Sequence, residues 1–406
     1  VHTEWWAGDG SGTDYEDAYD DRGKNIRYHQ EVHETGELGS PYQGLDRTTT
    51  TDWWAGINEN WEVDPSCAWN STGRFLKGYK EVTHIYGTAT DVVTGEEKGV
   101  LDVTTSTTRK DIEYYTYTDA AQGHYEGVTK GYTERVVTSD APDKITESRV
   151  SDISYSEKGW TKYYLSNITE TGQNLNHTYT VETTVTKFDD YGRVLRRKEE
   201  ITNDSAAPEK IVVKESIEDI RYDEVGRVIH SKDGILEQSI PEKALHHTYE
   251  VETTINSYSP LGQIIRQTQV ISKDNACPDK TTTITDLKDR RYNATGQLLY
   301  TYAESREQNL NVQDENDPNY LLNTTEIETV IESYNSLGQV TAMKEYGKPG
   351  QAGNSDGSYC FRRYEMNYDD KGRLYSYQEV RVEHSIIGEP KEVLATELGG
   401  TVYYVT

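Results

Sequence analysis

Three adjacent acid pairs, Asp20-Asp21, Asp189-Asp190 and Asp369-Asp370, are of the residue type that glycosidases use as acid and base or nucleophile. Each pair runs into a glycine, Gly23, Gly192 or Gly372, where the first acid has a backbone task instead. No catalytic residue is therefore expected, and the chain reads as a non-enzyme. Acid-rich turns offer oxygens to Ca2+, but no D-x-[DN]-x-[DN]-G loop occurs, so no cofactor is expected. His246-His247 with His230 are potential metal ligands, yet His177 and His247 occupy matching places in a repeat, which reads as surface strand positions. Trp5, Trp6, Trp53 and Trp54 would serve as flat platforms for sugar rings, or as plugs at a sheet end or a protomer contact. Cys67, Cys277 and Cys360 form no C-x-x-C, which excludes a zinc ribbon and leaves three isolated thiols as the favoured reading over one disulfide. Neither a G-x-S-x-G, a P-loop, a dinucleotide-binding fingerprint nor an H-E-x-x-H is present.

The acids belong to a larger pattern: an aromatic, then Asp, Asn or Ser, two variable residues, Gly, and usually Arg or Gln. Its clear copies begin at Tyr19, Trp69, Tyr155, Phe188, Tyr222, Tyr258, Tyr292, Tyr334 and Tyr368. Their glycines are Gly23, Gly73, Gly159, Gly192, Gly226, Gly262, Gly296, Gly338 and Gly372. Asp189, Asp223, Asn293, Asn335 and Asp369 hold the second position, and Arg193, Arg227 and Arg373 follow the glycine. A looser copy lies around Tyr117 and Gly123. From Gly159 onward the glycine spacings are 33, 34, 36, 34, 42 and 34. A short polar residue three before a Gly marks a type I turn whose Gly takes the left-handed conformation and closes a hairpin. The flanks alternate as strands do: Tyr179, Val181, Thr183 and Val185 share one face. Each unit of about 34 residues is thus one hairpin with strands of 10–13 residues.

A longer period overlies this one. His177–Val185 recurs 70 residues on as His247–Ile255, and Asn203–Lys210 as Lys273–Lys280, with an earlier compact Pro loop at Ser139–Lys144. The alternate hairpins are followed by variable loops, Ser231–Lys243 and Glu304–Asn319, and Gly347–Ser358 reads as an insertion. Residues 1–110 form a Trp-rich region of longer pitch, where Glu4-Trp5-Trp6-Ala7-Gly8 is echoed by Asp52-Trp53-Trp54-Ala55-Gly56. Residues 111–406 carry the regular repeats and their 70-residue superrepeat.

Composition agrees with a half-wet sheet. The net charge of −28 argues against nucleic acid and against anionic membrane surfaces. Hydrophobic residues are 33% of the 406, but 32 of them are Tyr, whose polar tip suits surfaces rather than dry cores. A repeat array needs only burial between neighbours, not one central core. No apolar run approaches 18 residues, so neither a membrane span nor a signal peptide is expected, and Val1 reads as the start of a processed product or fragment. Thr401–Thr406 reads as a strand. Asn70, Asn167, Asn176, Asn203, Asn293 and Asn323 begin N-x-[ST] triplets, which a Thr-rich chain also produces by chance.

The residues Arg221–Val228 and Tyr368–Leu374 resemble the YD repeats of the Rhs family, which includes toxin shells, wall-associated proteins and teneurins. The resemblance implies β-hairpins laid side by side in a long spiralling sheet, and a secreted or cell-surface product. Three departures limit it. Asp is often Asn or Ser, Arg becomes Gln three times, and the pitch exceeds the usual YD spacing. The Pro-rich self-cleaving block is missing, so self-cleavage and toxin delivery are not carried over. The expected fold is an all-β array of long antiparallel hairpins. The expected function is a non-enzymatic, extracellular scaffold that assembles with copies of itself, possible alternatives being polysaccharide adhesion and an Rhs-type shell. Neither nucleic acid nor membrane insertion is expected.

Overall fold

The computed structural model describes the chain except residues 9–17, 38, 41, 91–93, 95–96, 117–118, 120–125, 241–244, 310, 313–320, 350–358 and 384–406. The Tyr117/Gly123 copy and the strand expected at Thr401–Thr406 lie outside the described residues. The described chain is all-β, a 22-stranded antiparallel sheet of consecutive hairpins plus one short 3-10 turn at Pro65–Cys67. Contacts group it into two units, the first holding Val1–Lys210 with the turns Ser259–Gln263 and Asn293–Gly296, the second the remainder.

The first unit carries β1 (His2–Ala7), β2 (Arg27–Thr35), β3 (Leu45–Ala55), β4 (Tyr79–Thr90) and β5 (Glu97–Tyr114). It continues with β6 (Thr129–Thr138), β7 (Ala141–Tyr155), β8 (Thr161–Gly172), β9 (Leu175–Phe188) and β10 (Val194–Thr202). Each strand pairs antiparallel with the next from β1 through β10. The second unit carries β11 (Lys210–Ser216, whose first residue groups with the first unit), β12 (Arg221–Tyr222), β13 (Val228–Ser239), β14 (His246–Tyr258), β15 (Ile264–Ser272) and β16 (Lys280–Asp286). It ends with β17 (Arg291–Tyr292), β18 (Leu298–Asn309), β19 (Leu322–Tyr334), β20 (Val340–Pro349), β21 (Tyr359–Tyr368) and β22 (Leu374–Glu383).

Buried side chains are few, and among the described residues none of large volume is fully enclosed. Leu45, Ala89, Val150, Ile153 and Val185 are buried in the first unit, and Tyr300, Phe361 and Met366 in the second. Thr183 and Val185 lie on the buried face of β9, while Glu182 and Thr186 are exposed. Polar residues on both faces are held by cross-strand ion pairs, such as Arg47–Glu34, Arg135–Glu147 and Arg363–Glu379. Such pairs add little individually, so the sheet relies on its continuous backbone ladder and on neighbour-to-neighbour packing.

Four loop readings are corrected. Ser231–Ser239 is strand, paired with β14 from His230↔Thr254 to Gln238↔His246. Its polar stretch Lys232-Asp233-Gly234 mimics a turn, but Asp233 is buried and accepts from Ser216 Oγ at 3.2 Å, with Lys214 Nζ at 3.4 Å. Glu304–Asn309 likewise continues β18, and Gly347–Pro349 continues β20. The compact loop at Ser139–Lys144 shrinks to the two residues Ser139-Asp140, with Pro142 drawn into β7. The pairing shifts between Val136↔Thr146 and Thr138↔Ala141, a bulge that spares Pro142 from ladder bonding.

The turn glycines have φ values from +67° at Gly73 to +87° at Gly296. A Cβ built on Gly226, at φ +86°, meets no atom within 4 Å, so only backbone strain opposes a side chain there. Gly226→Val should therefore destabilise that hairpin by about 1–3 kcal/mol, read as faster hydrogen exchange in β12 and β13. A variant exchanging and melting like the parent would contradict the turn's role.

Candidate functional site

The recurrent motif builds one device repeatedly. In the turn after β12, Asp223 Oδ1 accepts the backbone N–H groups of Val225 at 3.1 Å and Arg227 at 2.7 Å. The Gly226 N–H reaches the Asp223 carbonyl at 3.1 Å, and the Asp223 N–H reaches the Arg227 carbonyl at 2.8 Å. Arg227 Nε then donates to Asp223 Oδ2 at 2.7 Å, leaving both carboxylate oxygens occupied. Asp189 with Arg193, and Asp369 with Arg373, repeat this at 2.6 and 2.7 Å. Asp20 uses one oxygen the same way, on Arg22 and Lys24. The first acid of each adjacent pair is thus consumed by its own turn.

The substitutions within the motif are matched. Arg follows Asp in three turns, whereas Gln follows Ser259, Asn293 and Asn335. Asn335 Oδ1 takes the same two backbone N–H groups, from Leu337 at 3.0 Å and Gln339 at 2.9 Å, and its Nδ2 donates to Gln339 Oε1 at 2.9 Å. A carboxylate needs a cation beside it, while an amide needs an amide acceptor. Ser259 and Ser156 cap more simply, each Oγ accepting one N–H at 3.1 Å. The mixed turn is Asn70-Ser71-Thr72-Gly73-Arg74, whose Asn70 N–H instead bonds the Phe75 carbonyl at 2.9 Å, one residue further along.

Arg227→Gln should cost about 0.5–1.5 kcal/mol, because Asp223 Oδ2 loses a charge-assisted partner. The double variant Asp223→Asn, Arg227→Gln should recover most of that, as a thermal-melt double-mutant cycle would show. Strict additivity of the two changes would contradict the matching.

The motif aromatic ties neighbouring hairpins together. Tyr155 Oη donates to the Thr129 carbonyl at 2.8 Å and Tyr258 to Val228 at 2.5 Å. Tyr292 donates to Ile264 at 2.6 Å, Tyr334 to Leu298 at 2.6 Å and Tyr368 to Val340 at 2.7 Å. Tyr114, outside the nine copies, does the same to Leu76 at 2.8 Å. In the four bonds of the second unit, the acceptor is the second residue after the preceding turn glycine, where its next strand starts. Phe188 has no hydroxyl and packs on Trp160 instead, ring centroids 5.3 Å apart. Of the two remaining first-unit aromatics, Tyr19 bridges to Asn25 and Trp69 to Leu76. Tyr222 lies in β12.

The four Trp of the echoed segment lie in β1 and β3. Trp53 has a ring on both sides, Tyr28 at 5.3 Å and Tyr79 at 6.1 Å. Trp54 has Arg27 and Lys80 each at 5.9 Å, and Trp6 has His29 at 5.4 Å. Trp5 alone of these is exposed, at 52%, with Tyr28 at 6.1 Å. Sequence reasoning missed this ladder because Tyr28 and Tyr79 reach Trp53 only through strand register.

A second repeated feature was also missed. His177 sits between Glu170 Oε2 at 3.2 Å and Asp204 Oδ1 at 2.8 Å. His247 sits between Glu237 at 3.7 Å and Asp274 Oδ1 at 2.9 Å, with Asp204 and Asp274 also capping Ala206 and Ala276. His230 bonds Glu252 at 3.1 Å, while His246 lies at the exposed start of β14. The 70-residue superrepeat carried the signal, since each His precedes its Asp by 27 residues. Among the described residues no group of three His, Cys, Asp or Glu is arranged to hold a metal, and the three cysteines are unpaired.

The electrostatics follow from these contacts. Burial pushes the Asp223 carboxyl up, but Arg227 and the turn N–H groups outweigh it and hold the group below its ordinary value. Asp189 follows the same balance with Arg193. At Asp369 the Arg373 backbone N–H is the main lowering influence. Asp204 is lowered through His177 against burial, and Asp274 first through the Ala276 N–H, then His247. Burial raises the clamping hydroxyls of Tyr155, Tyr258, Tyr292, Tyr334 and Tyr368.

No helix among the described residues is long and apolar enough to cross a membrane. No family model matches the chain, and no curated protein matches it. A crystal structure of TcdB2-TccC3-Cdc42 is similar over 89% of this chain and 27% of that one, at 12% identity and a TM-score of 0.19.

Proposed function

We propose that the chain is a non-enzymatic structural scaffold of the Rhs type, extracellular or on a cell surface, built to assemble with copies of itself. One observation carries this reading: the recurrent polar residues are spent on the backbone of their own hairpin or its neighbour. Asp223 and Arg227 close a turn, and Tyr258 ties that turn to the next hairpin. Side chains used this way hold a wall rather than meet a substrate. Polysaccharide adhesion is disfavoured, because Trp53 is flanked by rings and Trp54 by cations.

The charge of −28 makes identical surfaces repel, so assembly should require screening by salt or divalent cations. Sedimentation of the purified chain should show a shift from monomer to large species as salt rises. Assembly independent of ionic strength would contradict the electrostatic part. Hydrolysis of a glycan by the chain would contradict the non-enzymatic part.

A further inference from the structure

The echoed tryptophan segments differ in one respect: among the described residues β3 has a strand on each side, whereas β1 is in register with β2 alone. The two pairings that both possess coincide. Ala7↔Tyr28, Trp6↔His29 and Trp5↔Gln30 correspond to Ala55↔Tyr79, Trp54↔Lys80 and Trp53↔Glu81. The Gly8 N–H bonds the Arg27 carbonyl at 3.0 Å, as the Gly56 N–H bonds the Gly78 carbonyl at 2.7 Å. Trp5 meets Tyr28 at 6.1 Å, as Trp53 meets Tyr79 at 6.1 Å.

The other edge of β3 shows what β1 still offers. There β2 places Tyr28 opposite Trp53, Arg27 opposite Trp54 and His29 opposite Asp52. Tyr28 stacks on Trp53 at 5.3 Å, Arg27 lies over Trp54 at 5.9 Å, and His29 Nδ1 bonds Asp52 at 2.9 Å. The Ala55 N–H bonds the Ile26 carbonyl at 2.8 Å. By the same alternation, the N–H groups of Thr3, Trp5 and Ala7 face away from β2. Trp5 is 52% exposed, and Glu4 Oε1 lies 2.9 Å from His2 Nε2 on its own strand.

We propose that the outer edge of β1 is a strand-docking site for an extended basic–aromatic–basic segment, Arg/Lys-Tyr-His in type. It would pair antiparallel, with its cation over Trp6, its ring on Trp5 and its second base on Glu4. Main-chain bonds supply the affinity and the three side chains the register. The site does not depend on the scaffold reading, since an edge can take a peptide whether or not copies assemble.

The probe is a fluorescently labelled, end-capped peptide of residues 25–35, the β2 sequence, titrated with the full chain and followed by anisotropy. Saturable binding is expected, at least about tenfold weaker for the peptide carrying Tyr28→Ala, which keeps every charge. Trp5→Ala in the protein should weaken it similarly. Thr3→Pro should weaken it too, by removing an outward N–H while sparing β2. Both variants are first checked for an unchanged melt, and if one is unstable the peptide comparison alone decides. No saturable binding of the unaltered peptide, or equal binding of the Tyr and Ala peptides, would overturn the proposal.

Discussion

Replacing Tyr258, Tyr292, Tyr334 and Tyr368 together with Phe should lower the stability of the second unit by about 4 kcal/mol. Each change keeps the ring and removes one hydroxyl that donates to a neighbouring hairpin's carbonyl. A carbonyl left without its partner costs about 1 kcal/mol. The four sites lie on successive hairpins and share no partner, so the costs should add. Tyr191→Phe is the control, because Tyr191 is 85% exposed and should tolerate the change. Urea unfolding followed by circular dichroism measures both. A quadruple variant within experimental error of the parent would show that the hydroxyls do not tie the hairpins. Phe188 shows that the ring without the hydroxyl is compatible with the turn, so a loss in the variant reports the missing bond.

The second large effect is a stability window bounded on both sides by titration. Burial and Glu328 push Tyr300 up to about 12. The bond to Glu326, then burial, push Tyr302 up to about 12, and burial with Glu345 does the same for Tyr359. A group raised in the folded state stabilises fully below its unfolded pKa, about 10 for Tyr, and that stability is lost as pH rises through the folded value. The sheet should therefore hold to about pH 10 and melt between about 10 and 12. In that range the tyrosinate absorbance should lag free tyrosine and rise with the loss of strand signal. The acid side has the opposite sign. Asp189, Asp204, Asp223, Asp274 and Asp369 are lowered in the folded state. Their stabilisation is present above the unfolded value of about 4 and is lost as pH falls through the lower folded values. An intact sheet at pH 12 with every tyrosine ionised would contradict the alkaline half. Stability unchanged from pH 5 to pH 1 would contradict the acid half.

The fold was legible because a turn is local. A short polar residue and a glycine three positions on specify the conformation without reference to the rest of the chain, and the spacing of the glycines then sets the strand lengths. The boundaries of Ser231–Ser239 and Glu304–Asn309 were not legible, because strands with polar residues on both faces read like loops. Asp233 is acceptable in β13 only because Ser216 and Lys214 stand on the neighbouring strand. Ser139–Lys144 misled for a related reason: Pro142 signals a loop, yet a bulge admits it to β7. The exchange of Asp–Arg for Asn–Gln was visible as a departure from the repeat, while its physical reason needed the side-chain geometry of Asn335 and Gln339. The tryptophan ladder was the least legible feature, since it joins residues from separate strands that only register brings together.

Electron microscopy of the purified chain under salt that screens its charge tests the central claim most directly. A self-assembling scaffold predicts ordered particles built from many copies, filaments for a fibre or closed hollow bodies for a shell. Monomers alone, across salt and protein concentrations, would contradict it.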